Sequence, residues 1–223
     1  MEGLQIINLA GINTMKLFNT TRRWVSWWAR RKINWKEHYM NPKHPHRLLI
    51  AETLRHIPWM SLFEVGCGAG ANLVTIVHMN PGKQVGGVDI NPDAIAFART
   101  QFQNAHFKVC SGDDIMMSDK STGIILSDMM LIYITPRHIG RYLKEFKRVA
   151  RDYVVLCELH SDSWWERFAL KWREGYNTYN WPKLLEKHEF YDIKMYKLKK
   201  EDWPESSLQQ KYGYIIVAKV PYY

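Results

Sequence analysis

Two rhythms of apolar residues alternate along this chain. Short unbroken runs bounded by Gly, Asn or Asp predict buried strands: Leu62-Phe63 with Val65, then residues 84–89, 105–110, 123–128 and 152–159. Between them the apolar positions take helical spacing. Leu73, Val74, Ile76 and Val77 predict a helix over residues 71–78. Asn91-Pro92 opens another, reaching residue 103, with the proline well placed in a first turn. Thr135-Pro136 starts a helix that runs to Val149, and residues 161–173 and 180–188 also read as helical. Residues 190–198 and 211–219 read as two further strands. Strands and helices in alternation, closed by an antiparallel pair, predict an α/β protein: a seven-stranded, mostly parallel, doubly wound sheet.

Ahead of that pattern lies a stretch of different character. Residues 1–20 mix apolar and amide side chains without a clear period. From Thr20 onward Trp24, Trp27, Trp28 and Trp35 fall near helical spacing, interleaved with Arg22, Arg23, Arg30, Arg31 and Lys32. Asn19, Thr20 and Thr21 are candidate caps. Three readings fit: a tryptophan face packed on the core, a cap over a cleft, or a basic aromatic patch for a membrane surface or nucleic acid. Pro42 and Pro45 break the segment. Helical spacing resumes over residues 47–56, which carry Leu48, Leu49, Ile50 and Leu54. The chain therefore divides into an N-terminal helical, basic-aromatic extension (1–47) and one α/β domain (48–223).

The first strand runs straight into Gly66, Gly68 and Gly70 and then a helix start. Glycine permits positive φ and lets a ligand approach the backbone, and the helix N-terminus beyond presents unpaired N–H groups. Gly66, Gly68 and Ala71 also satisfy the dinucleotide fingerprint, so the glycines alone leave a nicotinamide cofactor open. Glu64 lies two residues before the first glycine. The second strand ends in Asp89, 19 residues after Gly70, near the spacing of about 20 at which a carboxylate meets a ribose hydroxyl pair. The third strand runs into Gly112-Asp113-Asp114.

In that order, Glu64-x-Gly66-x-Gly68-x-Gly70, Gly87-Val88-Asp89 and Gly112-Asp113-Asp114 resemble the cofactor site of the class I (Rossmann-like) S-adenosylmethionine-dependent methyltransferases. The likeness spans residues 48 to 223. It implies that S-adenosyl-L-methionine is the cofactor and S-adenosyl-L-homocysteine the product. It further implies the glycine loop with Cys67 against the methionine part, Asp89 and Ile90 at the ribose, and Asp113 or Asp114 with Ile115 at the adenine. Ser127 to Tyr133, after the fourth strand, would frame the acceptor. Base aminomethyltransferases carry a Pro-Pro-Tyr-type motif there, whereas this chain has Ser127-Asp128-Met129-Met130, and no Pro-Cys pair supports cytosine-C5 chemistry. Residues 158–161 and 179–186 loosely resemble small-molecule methylases of the same layout.

Composition adds less. Hydrophobic content of 46% is ordinary for a globular chain. No run approaches the ~18 apolar residues of a membrane span, and no secretory signal stands at the start. Cys67, Cys110 and Cys157 predict reduced thiols in a cytoplasmic protein, and no Cys/His spacing suggests a metal site. The excess of 31 Lys+Arg over 22 Asp+Glu, +9, suits a polyanion or an anionic membrane as well as mere solubility.

Methyl transfer is an in-line displacement, and a base is needed only where the acceptor must lose a proton. His160, at the end of the fifth strand, is the leading base candidate, followed by Glu158, Tyr133 and His138. The expected activity is transfer to an O or N atom of a small-molecule acceptor. The alternatives are a nucleic-acid methyltransferase, a non-catalytic partner subunit of this fold, and a NAD-dependent oxidoreductase. The last lacks a usable Tyr-x-x-x-Lys, since Tyr39/Lys43 spans Pro42 and Tyr196/Lys200 lies at a strand end.

Overall fold

A computed structural model describes residues 21–39 and 41–222. The expectations for residues 1–20 and for the side chains of Thr21 and Arg22 lie outside the described residues. Helices α1 (Thr21–Arg30), α2 (Trp35–Tyr39) and α3 (Pro45–Arg55) precede β1 (Ser61–Val65). Then follow α4 (Ala71–Met79), β2 (Gln84–Asp89), α5 (Pro92–Gln101), β3 (His106–Val109) and β4 (Thr122–Asp128). A 3-10 turn at Leu131–Tyr133 leads to α6 (Ile139–Val149), β5 (Ala150–Leu159), α7 (Trp164–Glu174) and α8 (Trp181–Lys187). The chain closes with β6 (Tyr191–Lys197), α9 (Ser207–Tyr212) and β7 (Gly213–Lys219).

The seven strands form one sheet in the order β3-β2-β1-β4-β5-β7-β6. Only β7 runs antiparallel to its neighbours. Strand order reverses between β1 and β4, and the carboxyl ends of such a pair open the crevice in which doubly wound sheets bind ligands. Side chains of β1 divide between the two faces as period 2 requires. Phe63 and Val65 join Val88, Ile125 and the α6 residues Tyr142, Leu143, Phe146 and Val149 on one side. Leu62 joins Ile124, Leu126, the α3 residues Ile50, Ala51 and Leu54, and Leu73, Ile76 and Ile95 on the other. Burial on both faces is why these strands read as unbroken apolar runs.

Several boundaries differ from the sequence reading for identifiable reasons. Pro45 does not break a helix but occupies the first turn of α3, where its missing N–H costs nothing, with His44 as the cap. Residues 47 and 48, between which the extension and domain were divided, therefore share one helix. The tryptophan segment is two helices: Asn91 Nδ2 donates to Trp28 O (2.7 Å) and Arg31 O (2.8 Å), satisfying carbonyls at the end of α1. After Thr135 comes a turn, closed by His138 N and Ile139 N on Thr135 O, before α6 begins. Residues 207–212 are helical, and β7 starts only at Gly213, whose missing Cβ would stand 2.5 Å from Gln209 O. No helix among the described residues is long and apolar enough to cross a membrane.

Candidate active site

A cavity of about 660 Å³ opens at the carboxyl ends of β1 and β4. Its floor is the turn after β1. Gly66, Gly68 and Gly70 all hold positive φ (79°, 50° and 83°), which a β-carbon would strain. A Cβ on Gly66 would also stand 2.6 Å from Met130 Cγ. Gly66 N and Cys67 N donate to Val88 O at 2.8 and 3.0 Å, tying the turn to β2. Asp89, at the end of β2, accepts from Gly68 N (2.9 Å) through one oxygen and from Asn91 N (2.8 Å) through the other. Burial raises the Asp89 carboxyl above its ordinary range, and these backbone donors oppose the rise.

A buried polar row crosses the cavity behind the turn. Asn72, the second residue of α4, donates to Glu64 Oε1 (2.6 Å) and to Asp128 Oδ2 (3.0 Å). Burial pushes Glu64 up to about 8 against the Asn72 hydrogen bond. Asp128 goes the other way: burial would raise it, but His46, Arg47 and Asn72 together hold it at about 2. Glu64 Oε2 and Asp128 Oδ1 are buried without a hydrogen-bond partner. Two acceptors left open beside a glycine cradle suit a ligand that carries both N–H donors and positive charge.

From Asp128 the row continues through two imidazoles. His46 Nε2 lies 3.0 Å from Asp128 Oδ2, the Nδ1 atoms of His44 and His46 meet, and His44 Nε2 meets Glu205. Trp203 stacks on His46 with centroids 4.0 Å apart. His44, His46, Asp128, Trp203 and Glu205 all line the cavity. Over the opposite side lie Trp24 and Trp28 of α1, packed on Tyr133 at 4.8 and 5.6 Å, and Trp35 of α2. Trp35 packs with Ala69 and Ala94, so this lid rests on the glycine turn itself.

The residues expected at the site separate into three groups. Glu64, Gly66, Cys67, Gly68, Asp89, Ile90 and Tyr133 line the cavity, and Gly70 caps α4 beneath it. Burial raises the Cys67 thiol, which keeps it protonated. Around β3, Cys110 and Gly112 line the cavity, while Asp113 binds Ser111, Asp114 is exposed and Ile115 is core, its N–H given to Glu145 (2.6 Å).

Ser127, Glu158 and His160 stand outside the lining. Glu158 Oε1 accepts from Ser127 Oγ (3.1 Å), Met130 N (3.1 Å) and Leu131 N (2.9 Å), which pins the turn carrying Tyr133. His160 packs edge-on against Tyr214 and accepts from Trp181 N through Nδ1 (3.3 Å). His138, also considered as a base, holds Thr135 at the start of α6 (2.9 Å). Asn72, His44, His46, Trp203 and Glu205 were not picked out from sequence, whereas Asp128 lies in the 127–133 stretch expected at the acceptor. His44 and His46 flank a proline that looked like a break, and Trp203 and Glu205 come from far along the chain.

Residues 62–153 match the family model of a methyltransferase domain. The chain carries a methyltransferase domain. No curated protein matches the chain. Among solved structures, the methyltransferase is similar to the PH0226 protein of Pyrococcus horikoshii OT3 at 16% identity (85% of this chain, 97% of that one, TM-score 0.65). It is also similar to geranyl diphosphate C-methyltransferase of Streptomyces coelicolor A3(2), at 14% identity, 90% and 97% coverage and TM-score 0.65. Magnesium protoporphyrin IX methyltransferase of Synechocystis PCC 6803 shares 15% identity over 94% and 99% of the chains, with TM-score 0.58. At these identities the likeness speaks for the fold. The cofactor of the family is S-adenosylmethionine.

Proposed function

We propose that this methyltransferase moves a methyl group onto an oxygen or nitrogen atom of a small-molecule acceptor held under the α1–α2 lid. The observation that carries the reading is the cavity itself. Its volume is that of a small-molecule site, roughly 300–1,000 Å³. Its walls combine apolar rings with one polar row. Solved neighbours that act on geranyl diphosphate and on a porphyrin support the same class of acceptor.

S-adenosylmethionine, when bound, supplies a methyl group on a sulfonium centre open to in-line attack. The residues present fit it. Asp89 accepts hydroxyl donors with the lone pairs that Gly68 N and Asn91 N leave over. Glu64 and Asp128 offer their open oxygens to an ammonium group, and the turn lets the ligand close on the backbone. Trp24, Trp28 and Tyr133 keep water from the acceptor side, where desolvation strengthens every polar contact.

The His44–His46 pair takes the role of proton acceptor first expected of His160. Three contacts run through the pair: to Glu205, between the rings, and to Asp128. Each needs one proton, and two neutral imidazoles carry two. With both carboxylates ionised, a third proton completes the row, so a proton leaving the acceptor finds a place there. Burial lowers the His44 pKa against the pull of Glu205, which keeps His44 neutral and receptive near pH 7.

Titration calorimetry with S-adenosylmethionine and S-adenosylhomocysteine tests the cofactor site. Asp89→Ala is expected to weaken both about 10- to 100-fold, the worth of roughly 1.5–3 kcal/mol from hydrogen bonds to a charged group. An unchanged affinity would sink the assignment of Asp89. For the acceptor, radiolabelled methyl transfer to a panel of phenols, acids and amines should find a substrate whose turnover rises with pH through a value below 6.5. His44→Gln should abolish that rise.

A further inference from the structure

We propose that the surface formed by α7 and α1 docks the methyltransferase on an anionic lipid bilayer. This stands apart from the identity of the acceptor. Helix α7 carries Trp164, Trp165, Phe168 and Trp172, with relative exposures of 57, 64, 60 and 71%. At 100° per residue these positions fall within an arc of about 100°, close to one quadrant of the helix, opposite the side on which Leu170 is buried among Ile132, Leu159 and Tyr212. The helix therefore offers an apolar face to the core and a second, larger one to solvent. Among the described residues Trp164 has one ring partner, the adjacent Trp165, stacked at 3.6 Å. Four large rings left in water on one quadrant mark an interaction surface rather than scattered exposure.

Charge decides the kind of partner. Among the described side chains from α1 through α2, Arg23, Arg30, Arg31, Lys32 and Lys36 stand against one acid of these helices, Glu37, with Lys32 paired to Asp93 of α5. Helix α7 adds Arg167, Lys171 and Arg173 against Glu166 and Glu174. Eight basic groups thus accompany three acids. The two helices are joined by aromatic contacts through Tyr133, which meets Trp24 and Trp28 on one side and Tyr176, just past α7, on the other (5.7 Å).

Amphipathic tryptophan rings settle at the boundary between headgroups and acyl chains, and a basic surround adds attraction to anionic lipid. A protein partner of the same area would need acids to meet the basic groups, whereas a phosphatidylserine-bearing surface supplies them uniformly.

The test is cosedimentation of the full chain with large unilamellar vesicles of phosphatidylcholine alone and of phosphatidylcholine with phosphatidylserine at 7:3. Binding is expected to the 7:3 vesicles, weakened by 0.5 M salt and accompanied by a blue shift of tryptophan emission. The fourfold variant Trp164→Ser, Trp165→Ser, Phe168→Ser, Trp172→Ser should lose at least tenfold in partitioning while its circular dichroism and melting stay native. Arg23→Glu with Arg30→Glu and Lys36→Glu should reduce binding to the level seen with phosphatidylcholine alone. Wild type left in the supernatant, or a fourfold variant that binds as well as wild type, would overturn the proposal. So would a wild-type dimer that the fourfold variant dissolves in the absence of vesicle binding, since the face would then belong to a second copy.

Discussion

Helices α1 and α7 have nearly the same composition and opposite fates. Each is ten or eleven residues long, with three tryptophans and several arginines or lysines. In α1, Trp24 is buried and Trp28 turns toward the cavity; in α7, all three tryptophans face solvent. Composition does not decide between them. The partners supplied by the rest of the chain do: Asn91 takes the carbonyls at the end of α1, and Tyr133 gives its rings a seat. Helix α7 spends its one buried position, Leu170, on the core and is capped at both ends by its own residues, Ser163 and Gly175. A helix that needs no outside anchor is free to keep its rings for another purpose.

The strongest way to break this contrast is at the turn that both helices rest on. Glu158→Ala would strand Ser127 Oγ, Met130 N and Leu131 N, at about 1–3 kcal/mol for each buried donor left unpaired. Denaturant melts should show a loss of several kcal/mol, together with lost protection of Trp28. Glu158→Gln keeps the acceptor and removes the titration. Burial pushes the Glu158 carboxyl up to about 8, so the folded state holds a proton that the unfolded chain releases near 4.5. Stability from that proton is whole below pH 4.5 and drains away as pH rises toward 8. The glutamine variant keeps it, and its melting temperature should exceed wild type by a margin that widens across that window, by at most roughly 1.4 kcal/mol per pH unit. A constant margin would show that Glu158 stays ionised.

Next in size comes a direct exchange between the helices. Trp24→Ala removes a buried ring and should cost about 3 kcal/mol in urea unfolding, whereas Trp172→Ala should stay within about 0.5 kcal/mol. Equal losses would mean that α7 is covered in solution. Asn91→Ala separates the lid from its anchor. Its side chain also caps α5 through Asp93 N (2.9 Å) and Ala94 N (3.1 Å), so about 1–2 kcal/mol is expected. Limited proteolysis between α1 and α2 should quicken by more than the global loss explains.

The sheet was legible because burial on both faces writes strands as unbroken apolar runs, and the turn after β1 because Gly66, Gly68 and Gly70 hold positive φ, which glycine tolerates best. The place of Asp89 at the end of β2, beside that turn, followed from spacing. The polar row across the cavity was legible only at Asp128, because its other members come from separate places: His44 and His46 before the first strand, Trp203 and Glu205 ahead of the last. Such a row exists only once the sheet has folded. That His160 lies outside the cavity lining was hidden for the same reason. A strand-end histidine is drawn toward the rim by sequence logic, yet the packing of α8 and Tyr214 claims its ring. The outward turn of α7 had no sequence signal at all, since a tryptophan stripe reads the same whether it faces core or solvent.

The smallest effect separates the two aromatic clusters by their chemistry. In α1 the Arg31 guanidinium lies over Trp27 (4.1 Å to the centroid) and reaches Trp28 (5.3 Å). It ties together rings that Asn91 and Tyr133 have already placed, so Arg31→Gln should cost only about 0.5–1 kcal/mol. Arg31→Lys should recover part of that, because an ammonium keeps the charge without the flat stacking face. In α7 Trp164 and Trp165 stack on each other and stay exposed, which leaves one face of each ring to an outside surface. If Arg31→Gln leaves stability and lid proteolysis untouched, the cation adds nothing to closure, and the inward turn of α1 is carried by Asn91 and Tyr133 alone.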